Sequence, residues 1–159
     1  GSLRYAEAAR VSADNGAIVC LDPNLRPAFS SEKHRLFLRG LLESVTVLKL
    51  SDEEVDFLGD TSDVPVVVTT LGGDGIRVRA PFGVCEVQAP AVEVADTIGA
   101  GDTIMAALVH QFDARGLDRS ALLALGEGEW REILDFAARA AAITVSRTGA
   151  DTPYLHELV

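Results

Sequence analysis

The sequence contains little lysine and little cysteine, and each shortage excludes a common kind of site. The only lysines are Lys33 and Lys49, and neither stands in a Gly-x-x-x-x-Gly-Lys loop. The Gly-x-Gly-x-x-Gly fingerprint of dinucleotide-binding proteins is also missing. The cysteines, Cys20 and Cys85, lack the CxxC spacing of metal and redox sites. Both lie in apolar runs, so we expect reduced thiols in the core of a cytoplasmic protein.

Acidic residues outnumber basic ones, which argues against two classes of partner. The chain has 24 acidic and 14 basic side chains and a formal net charge of -10. Such a surface repels nucleic acids and anionic membranes, so we expect neither as a partner. No apolar run reaches the ~18 residues that a membrane-spanning helix needs, and no signal-peptide pattern precedes the first predicted helix. A phosphate-bearing ligand would need local positive potential from backbone amides, a cation or a few arginines.

The hydrophobic pattern alternates between helices and strands. Continuously apolar runs predict strands covered on both faces, as in a parallel sheet. The alternating segments on either side of Pro81-Phe82-Gly83 predict an antiparallel hairpin. We therefore expect a single α/β domain over residues 1–159, with a mostly parallel sheet flanked by helices and the hairpin at its edge. The predicted strands are 17–21, 45–50, 65–71, 76–79 and 84–87, and the predicted helices are 3–14, 31–42, one that begins at Ser51, 104–112 and 129–146.

Polar clusters follow the predicted strands, and these clusters are the candidate ligand-binding loops. In open α/β sheets, ligands bind beyond the carboxyl ends of the strands. The clusters are Asp22-Pro23-Asn24, Ser51 to Glu54, Gly72 to Gly75, and Asp96 to Asp102.

The last cluster has the composition of an anion-binding turn. Small residues at Gly99-Ala100-Gly101 let backbone N–H groups approach a ligand oxygen, and the dipole of the following helix adds positive potential. Asp102, in the first helical turn, could accept a proton from an attacking hydroxyl beside that turn. Taken alone, the motif fits better with a simple turn and a helix-capping aspartate.

Four motifs together resemble those of ribokinase-like carbohydrate kinases. Their residues are most similar to those of the fructokinase and 2-keto-3-deoxygluconate kinase branches. The motifs occur in family order along essentially the whole chain, and they are DPNLRP at 22–27, KLSDEE at 49–54, TLGGDG at 70–75 and DTIGAGDT at 96–103. The resemblance implies a ribokinase-like, Rossmann-like fold and ATP-dependent phosphorylation of a sugar hydroxyl. It also implies that Asp102 is the base and that the amides of Gly99, Ala100 and Gly101 bind the transferred phosphoryl group.

The resemblance further implies a nucleotide site. Thr70, Gly72 and Gly75 would line it, and Ala138 and Ala141 in the last helix would present small side chains to the adenine. The alternatives are a hairpin turn at the glycines and tight helix packing at the alanines.

Two further roles are implied for charged residues. Arg26 would lie near the substrate or the transferred phosphate, although a surface arginine after a turn is an alternative. Glu54 matches the acidic residue of an Asn-x-x-Glu motif that organises Mg²⁺, whereas Ser51 replaces the asparagine. A capping box between Ser51 and Glu54 explains the same residues and is compatible with that role.

Many members of this family bind a monovalent cation next to the phosphate site, and the resemblance implies such a site, with K⁺ as the candidate ion, in this chain. The matching positions are the side chain of Asp96 and the backbone carbonyls of Ile98, Thr144, Arg147 and Gly149. The alternative for Asp96 is a turn residue that binds nearby amides.

The match covers the C-terminal half of such an enzyme. We therefore expect the N-terminal half, with its sugar-binding segment and lid, to be missing from this chain, and the isolated chain to be inactive. The expected partners are ATP and a small sugar, with a homodimer as a possibility for the full-length enzyme. Two alternatives stay open: a nucleoside or phosphosugar kinase of the same fold, and a nucleotide-binding fragment without catalysis.

Overall fold

The computed structural model describes residues 2–25 and 31–159. Helices and strands alternate through the first half, and helices dominate the second. The helices are α1 (Ser2–Asp14), α2 (Glu32–Leu42), α3 (Asp52–Leu58), α4 (Ala100–Ala114), α5 (Arg119–Leu123) and α6 (Glu127–Val145). The strands are β1 (Cys20–Leu21), β2 (Val47–Ser51), β3 (Val66–Thr70), β4 (Ile76–Ala80) and β5 (Gly83–Val87).

The five strands form one sheet in the order β1-β2-β3-β4-β5. The first three strands are parallel, and β4 and β5 add an antiparallel hairpin. The predicted α/β architecture, with a mostly parallel sheet and a hairpin edge, is confirmed. Because β1, β2 and β3 are parallel, their carboxyl ends share one edge, and this edge carries the polar loops.

Each face of the sheet packs against its own helices. On one face, Val47, Val66 and Val68 belong to a core with residues of α4 and α6, including the fully buried Trp130. On the other face, Leu48, Leu50 and Val67 pack with residues of α2 and α3. Burial on both faces explains why the parallel strands are continuously apolar.

Some element boundaries differ from the predictions. The strand predicted over 17–21 contains only Cys20–Leu21, although Val19 still exchanges hydrogen bonds with Thr46. The helix predicted from residue 104 begins at Ala100, directly after the glycine turn. The short α5 was not predicted, and the Asp118 side chain caps it by accepting a hydrogen bond from the Ala121 N–H.

Two smaller expectations can be compared with the structure. Both cysteines are unpaired, and burial raises the pKa of the Cys20 thiol to about 11, which keeps it protonated at neutral pH. Among the helices in the described part of the chain, none is long and apolar enough to cross a membrane.

Candidate active site

A polar cavity of about 300 Å³ lies at the carboxyl edge of the parallel strands. Loops from all four sequence motifs meet there. Its lining residues are Asp22, Asn24, Leu25, Lys49, Ser51, Glu54, Thr70, Gly99, Gly101 and Asp102.

Asp102 presents an exposed carboxylate to this cavity from the first turn of α4. The residue at the helix N-cap is Gly99, which has a left-handed backbone with φ of 81°. A Cβ atom at Gly99 would lie 3.1 Å from that of Ala150, so both the conformation and the space favour glycine. The hydrogen bonds between described residues do not engage the Asp102 carboxylate, and Asp102 therefore does not act as a cap within them.

The amides before Asp102 differ in their availability. The Ala100 N–H donates to the Thr97 carbonyl at 3.3 Å, and the Thr103 N–H donates to the Gly99 carbonyl at 2.8 Å. Within the described part of the chain, the N–H groups of Gly99, Gly101 and Asp102 have no acceptor. Of the three predicted amides, those of Gly99 and Gly101 are therefore free to bind an anion, whereas that of Ala100 is engaged, and the Asp102 N–H is a further free donor.

Lys49 and Asp22 form a buried ion pair in the wall of the cavity. The distance from Lys49 Nζ to Asp22 Oδ2 is 2.8 Å, and the two side chains are 6% and 15% exposed. The strand register creates the pair: Leu21 is aligned with Leu48, so the next residues, Asp22 and Lys49, stand side by side on the face that packs against α4.

The second oxygen of Asp22 has no partner among the residues that the structure describes. Asp22 Oδ1 is buried and accepts no hydrogen bond within the described part of the chain. Burial raises the pKa of the Asp22 carboxyl, and the charges of Glu54 and Asp102 add to this rise, while the hydrogen bond and charge of Lys49 oppose it. Burial therefore disfavours the charged form of the Asp22 carboxyl, and the Lys49 ammonium group favours it.

Glu54 forms the predicted capping box of α3. Its Oε2 accepts a hydrogen bond from the Ser51 N–H at 2.8 Å, and Ser51 Oγ accepts one from the Glu54 N–H at 3.3 Å. Its Oε1 accepts one from the Leu25 N–H at 2.6 Å, which holds the loop after β1 against α3. Glu54 therefore joins two of the loops that line the cavity.

The donor set fits Mg²⁺ only in part. Among the described residues, no three His, Cys, Asp or Glu side chains are grouped as a metal site requires. A magnesium ion at this cavity would be bound chiefly by phosphates and water, with one carboxylate at most from Glu54. That is the usual manner for Mg²⁺ bound with a nucleotide.

A second cleft, of about 470 Å³, lies beside the polar cavity. All five residues predicted to contact the nucleotide line it: Thr70, Gly72, Gly75, Ala138 and Ala141. The loop at 72–75 also connects β3 to the antiparallel β4, so the predicted turn is present and its glycines line the cleft at the same time. Thr70 and Gly101 line the cleft and the cavity alike, and the two therefore form one continuous site.

Asp96 connects the loop before α4 to the loop after α6. Its Oδ1 accepts from the Ile98 N–H and its Oδ2 from the Gly149 N–H, each at 3.0 Å, and these hydrogen bonds lower the pKa of the carboxyl. The Thr144 carbonyl accepts a hydrogen bond from the Arg147 N–H at 3.1 Å. The five predicted cation-site residues thus lie in two adjoining segments, the loop before α4 and the end of α6 with the loop that follows it, and hydrogen bonds join the two segments. Arg26 lies outside the described residues.

Nearly the whole sequence also matches a known family. Residues 2–157 match the family described as "pfkB family carbohydrate kinase". The chain belongs to this family. The resemblance to ribokinase-like carbohydrate kinases, predicted from the four loop motifs, is confirmed.

This pfkB-family chain is similar to known fructokinases in both sequence and structure. The fructokinase of Escherichia coli is 30% identical over 152 residues, which cover 86% of this chain and 48% of the relative. Fructokinase with bound ATP from Xylella fastidiosa has a TM-score of 0.90 at 26% identity, over 99% of this chain and 55% of that chain.

A third relative is a fructokinase double mutant from Vibrio cholerae O395 in a fructose, ADP and potassium ion bound form. It has a TM-score of 0.77 at 25% identity, over 96% of this chain and 52% of that chain. The pfkB-family chain spans about half the length of the curated relatives it matches.

The structure adds residues that sequence reasoning did not assign to the site. Lys49 and Asp22 stood in recognised motifs, but neither was given a role. The available signal was a lysine between Leu48 and Leu50 in an otherwise apolar strand, since such a charge rarely faces a core without a partner. The cleft wall formed by Ala89 to Val94 was also missed, and its irregular backbone gives no periodic signal.

Proposed function

We propose that this pfkB-family chain forms the nucleotide-binding and catalytic part of a kinase that phosphorylates a small sugar or sugar acid with ATP. One observation carries the proposal. The Asp102 carboxylate lies next to the Gly101 and Asp102 N–H groups, which have no acceptor among the described residues, where the apolar cleft joins the polar cavity. A base and an anion site side by side are what phosphoryl transfer to a hydroxyl requires.

In the proposed reaction, Asp102 accepts the proton of the sugar hydroxyl. The hydroxyl oxygen forms a bond to the terminal phosphorus of ATP, and the bond from that phosphorus to the ADP oxygen breaks. The Gly101 and Asp102 N–H groups stabilise the charge on the transferred group, and the dipole of the 15-residue α4 adds to their effect.

Mg²⁺, when bound with ATP, supplies further neutralisation of phosphate charge. Glu54 fits a role in binding the waters of that ion, because each carboxylate oxygen keeps a lone pair beyond its backbone hydrogen bond.

We also propose a monovalent cation near Asp96, in view of the potassium ion in the Vibrio cholerae fructokinase. Activity in KCl that disappears in tetramethylammonium chloride would support this second ion, and equal activity would exclude it.

The proposed acceptor is fructose or a ketodeoxygluconate-like sugar acid. Several relatives are named fructokinases, and the Vibrio cholerae structure contains fructose. A phosphosugar would need further cationic side chains, and Lys49 is the one such side chain that lines the cavity in the described residues. The test is ATP-dependent phosphorylation of fructose, ketodeoxygluconate, a nucleoside and fructose 6-phosphate by the full product of the gene.

Asp102→Asn tests the assignment of the base. We expect kcat to fall by at least ~100-fold, because the amide cannot accept the proton. The matched control is Asp113→Asn, the same change on the exposed end of the same helix, which should leave kcat unchanged. A loss of less than ~10-fold in Asp102→Asn would exclude Asp102 as the general base.

Calorimetry on the 159-residue chain tests whether the chain binds a nucleotide at all. We expect ATP with Mg²⁺ to bind. If ATP binds but the full gene product phosphorylates none of the four acceptors, the chain is a nucleotide-binding module of the same fold. If the chain does not bind ATP and the full gene product phosphorylates none of the acceptors, the proposal is wrong.

A further inference from the structure

Two threonine hydroxyls meet in the buried contact between α4 and α6. Thr103 belongs to α4 and Thr144 to α6, and their side-chain oxygens lie 2.9 Å apart. The two residues are 4% and 0% exposed, and the other buried residues of both helices are hydrophobic. Hydrophobic side chains at these two positions would fill the same space without a polar group to satisfy, so the hydroxyls need an explanation.

The Thr103 hydroxyl acts on the glycine turn, Gly99 to Gly101, that opens α4. Its Oγ1 donates a hydrogen bond to the Gly99 carbonyl at 2.8 Å, and the Thr103 N–H donates to the same carbonyl at 2.8 Å. Two donors on one carbonyl fix the plane of the peptide between Gly99 and Ala100. The Gly101 and Asp102 N–H groups follow directly along the chain, so their direction depends on that plane.

Thr144 adds to what a helical threonine does on its own, since a bond to the carbonyl four residues earlier is common. The two hydroxyls carry two protons, but three hydrogen bonds are within reach: Thr103 to the Gly99 carbonyl, Thr103 with Thr144, and Thr144 to the Ala140 carbonyl at 3.3 Å. If Thr144 donates to Thr103, Thr103 can donate to Gly99, and the chain of bonds is polarised towards the turn. If Thr103 donates to Thr144 instead, the Gly99 carbonyl loses its side-chain donor. The shorter contact at Gly99 favours the first arrangement.

The end of α6 also supports the turn in other ways. A Cβ atom at Gly99 would lie 3.9 Å from the Thr144 Cγ2 methyl carbon, so the Thr144 side chain lies beside the turn. The carbonyl of Val145, the next residue, accepts hydrogen bonds from the Ala95 and Asp96 N–H groups. The backbone of α6 therefore holds the loop before the turn, and the Thr144 side chain reaches the turn itself.

We propose that Thr103 is a positioning residue for phosphoryl transfer, which holds the glycine turn through the Gly99 carbonyl so that the N–H groups after it face the transferred group. Thr144 acts through Thr103, because its hydroxyl directs the Thr103 proton to Gly99. The inference rests on the proposed function. Neither hydroxyl touches the substrate.

The test compares Thr103→Val with Thr103→Ser in the full product of the gene. Valine keeps the shape of the side chain and removes the hydroxyl, whereas serine keeps the hydroxyl and removes the methyl group. Since a misplacement of about 1 Å can cost ~100-fold in rate, we expect a partly released turn in Thr103→Val to lower kcat by about 10-fold. The KM for ATP should change by less than ~2-fold, because Thr103 is not among the residues that line the nucleotide cleft. Thr103→Ser should keep kcat within ~2-fold of the wild type, because its hydroxyl can make the same hydrogen bonds.

Thr144→Val and the double variant Thr103→Val/Thr144→Val test whether Thr144 acts through Thr103. Thr144→Val alone should lower kcat less than Thr103→Val does, because Thr103 can still donate to Gly99. The double variant should have the same kcat as Thr103→Val, since residues in one chain of hydrogen bonds do not act additively. Replacing both hydroxyls by methyl groups leaves neither without its partner, so the double variant should fold with a Tm close to that of the wild type.

Three results would overturn the inference while leaving the proposed kinase intact. The first is an unchanged kcat in folded Thr103→Val, or a rise in the KM for ATP in its place. The second is an equal loss in Thr103→Val and Thr103→Ser, which would assign the effect to packing and not to the hydroxyl. The third is a double variant in which the two losses multiply, which would show that Thr144 does not act through Thr103. If the wild-type gene product phosphorylates none of the four acceptors, the proposed reaction does not occur, and this inference fails with it.

Discussion

The two parts of the site are built from opposite kinds of residue. Among the described residues, the cleft is lined by glycine, alanine, valine, isoleucine and proline, with Thr70 and Thr97 as its only polar side chains. The cavity beside it is lined by three carboxylates and a lysine. The cleft can therefore select a ligand by shape and apolar contact, whereas the cavity selects by charge.

This difference predicts opposite sensitivities to mutation. The cleft depends on the absence of side-chain atoms, so adding atoms should damage it. The cavity depends on charged groups in fixed positions, so removing one group should damage it, as argued for Asp102. Variants that add atoms in the cleft without touching a charge test whether the two parts act separately.

Gly75→Ala should have the largest effect on stability. A Cβ atom at this position would lie 2.0 Å from the Val87 carbonyl oxygen and 2.9 Å from the Ala89 nitrogen, and the backbone φ is +116°. Overpacking and strain together should lower the free energy of unfolding by about 3 kcal/mol. Thermal denaturation should show a fall in Tm of roughly 6–12 °C.

Gly73→Ala is the matched control for this prediction. Gly73 lies two residues away in the same loop, and a Cβ atom there would have no neighbour within 4 Å. Its Tm should stay within ~2 °C of the wild type, because surface substitutions rarely change stability by more than ~0.5 kcal/mol. Equal Tm values for the two variants would show that the loop moves freely and that the cleft wall is not rigid.

Ala141→Leu should reduce nucleotide binding with little loss of stability. Ala141 lines the cleft from α6 and is only partly buried, so a larger side chain fills the cleft and not the core. We expect the Kd for both ATP and AMP to rise by at least ~10-fold, because the change displaces the shared part of the two ligands. The control is Ala114→Leu at the exposed end of α4.

The comparison of ATP with AMP makes this prediction informative. Ala141→Leu should weaken the binding of both ligands equally. If Ala141→Leu weakens only ATP, the cleft does not hold the part of the nucleotide that the two ligands share, and the division of roles between cleft and cavity is wrong.

Much of the fold could be predicted because its signals are local. The apolar run at 66–68 fills both faces of a central strand, and the Pro81-Phe82-Gly83 turn separates two alternating strands. The Ser51–Glu54 capping box is also local, since both partners lie within one helical turn. The missed α5 had a local signal as well, the Asp118 cap, but its five residues are too few for a periodic pattern.

The missed parts of the site depend on contacts between distant segments. Lys49 meets Asp22 only after β1 and β2 pair in one register, and a shift by one residue would point them to opposite faces. The Glu54 contact to the Leu25 N–H likewise joins segments 29 residues apart. A motif gives the identity of such residues, but it doesn't reveal which charge lies against which.

The loop that joins the two parts of the site gives the smallest predicted effect. Asp96 accepts hydrogen bonds from the Ile98 and Gly149 N–H groups, and these bonds lower its pKa in the folded protein. A lowered folded pKa stabilises the protein above the unfolded pKa, and this stabilisation is lost as the pH falls through the folded pKa. Wild type should therefore be more stable than Asp96→Asn at pH 7. The difference between their free energies of unfolding should shrink below about pH 4, where the carboxyl of the unfolded chain protonates.

Urea denaturation of both proteins from pH 7 to pH 3 measures this difference in the free energy of unfolding, with Asp113→Asn as the control for removal of a charge. A difference that does not change with pH would mean that Asp96 stabilises the two loops through its shape and not through its charge.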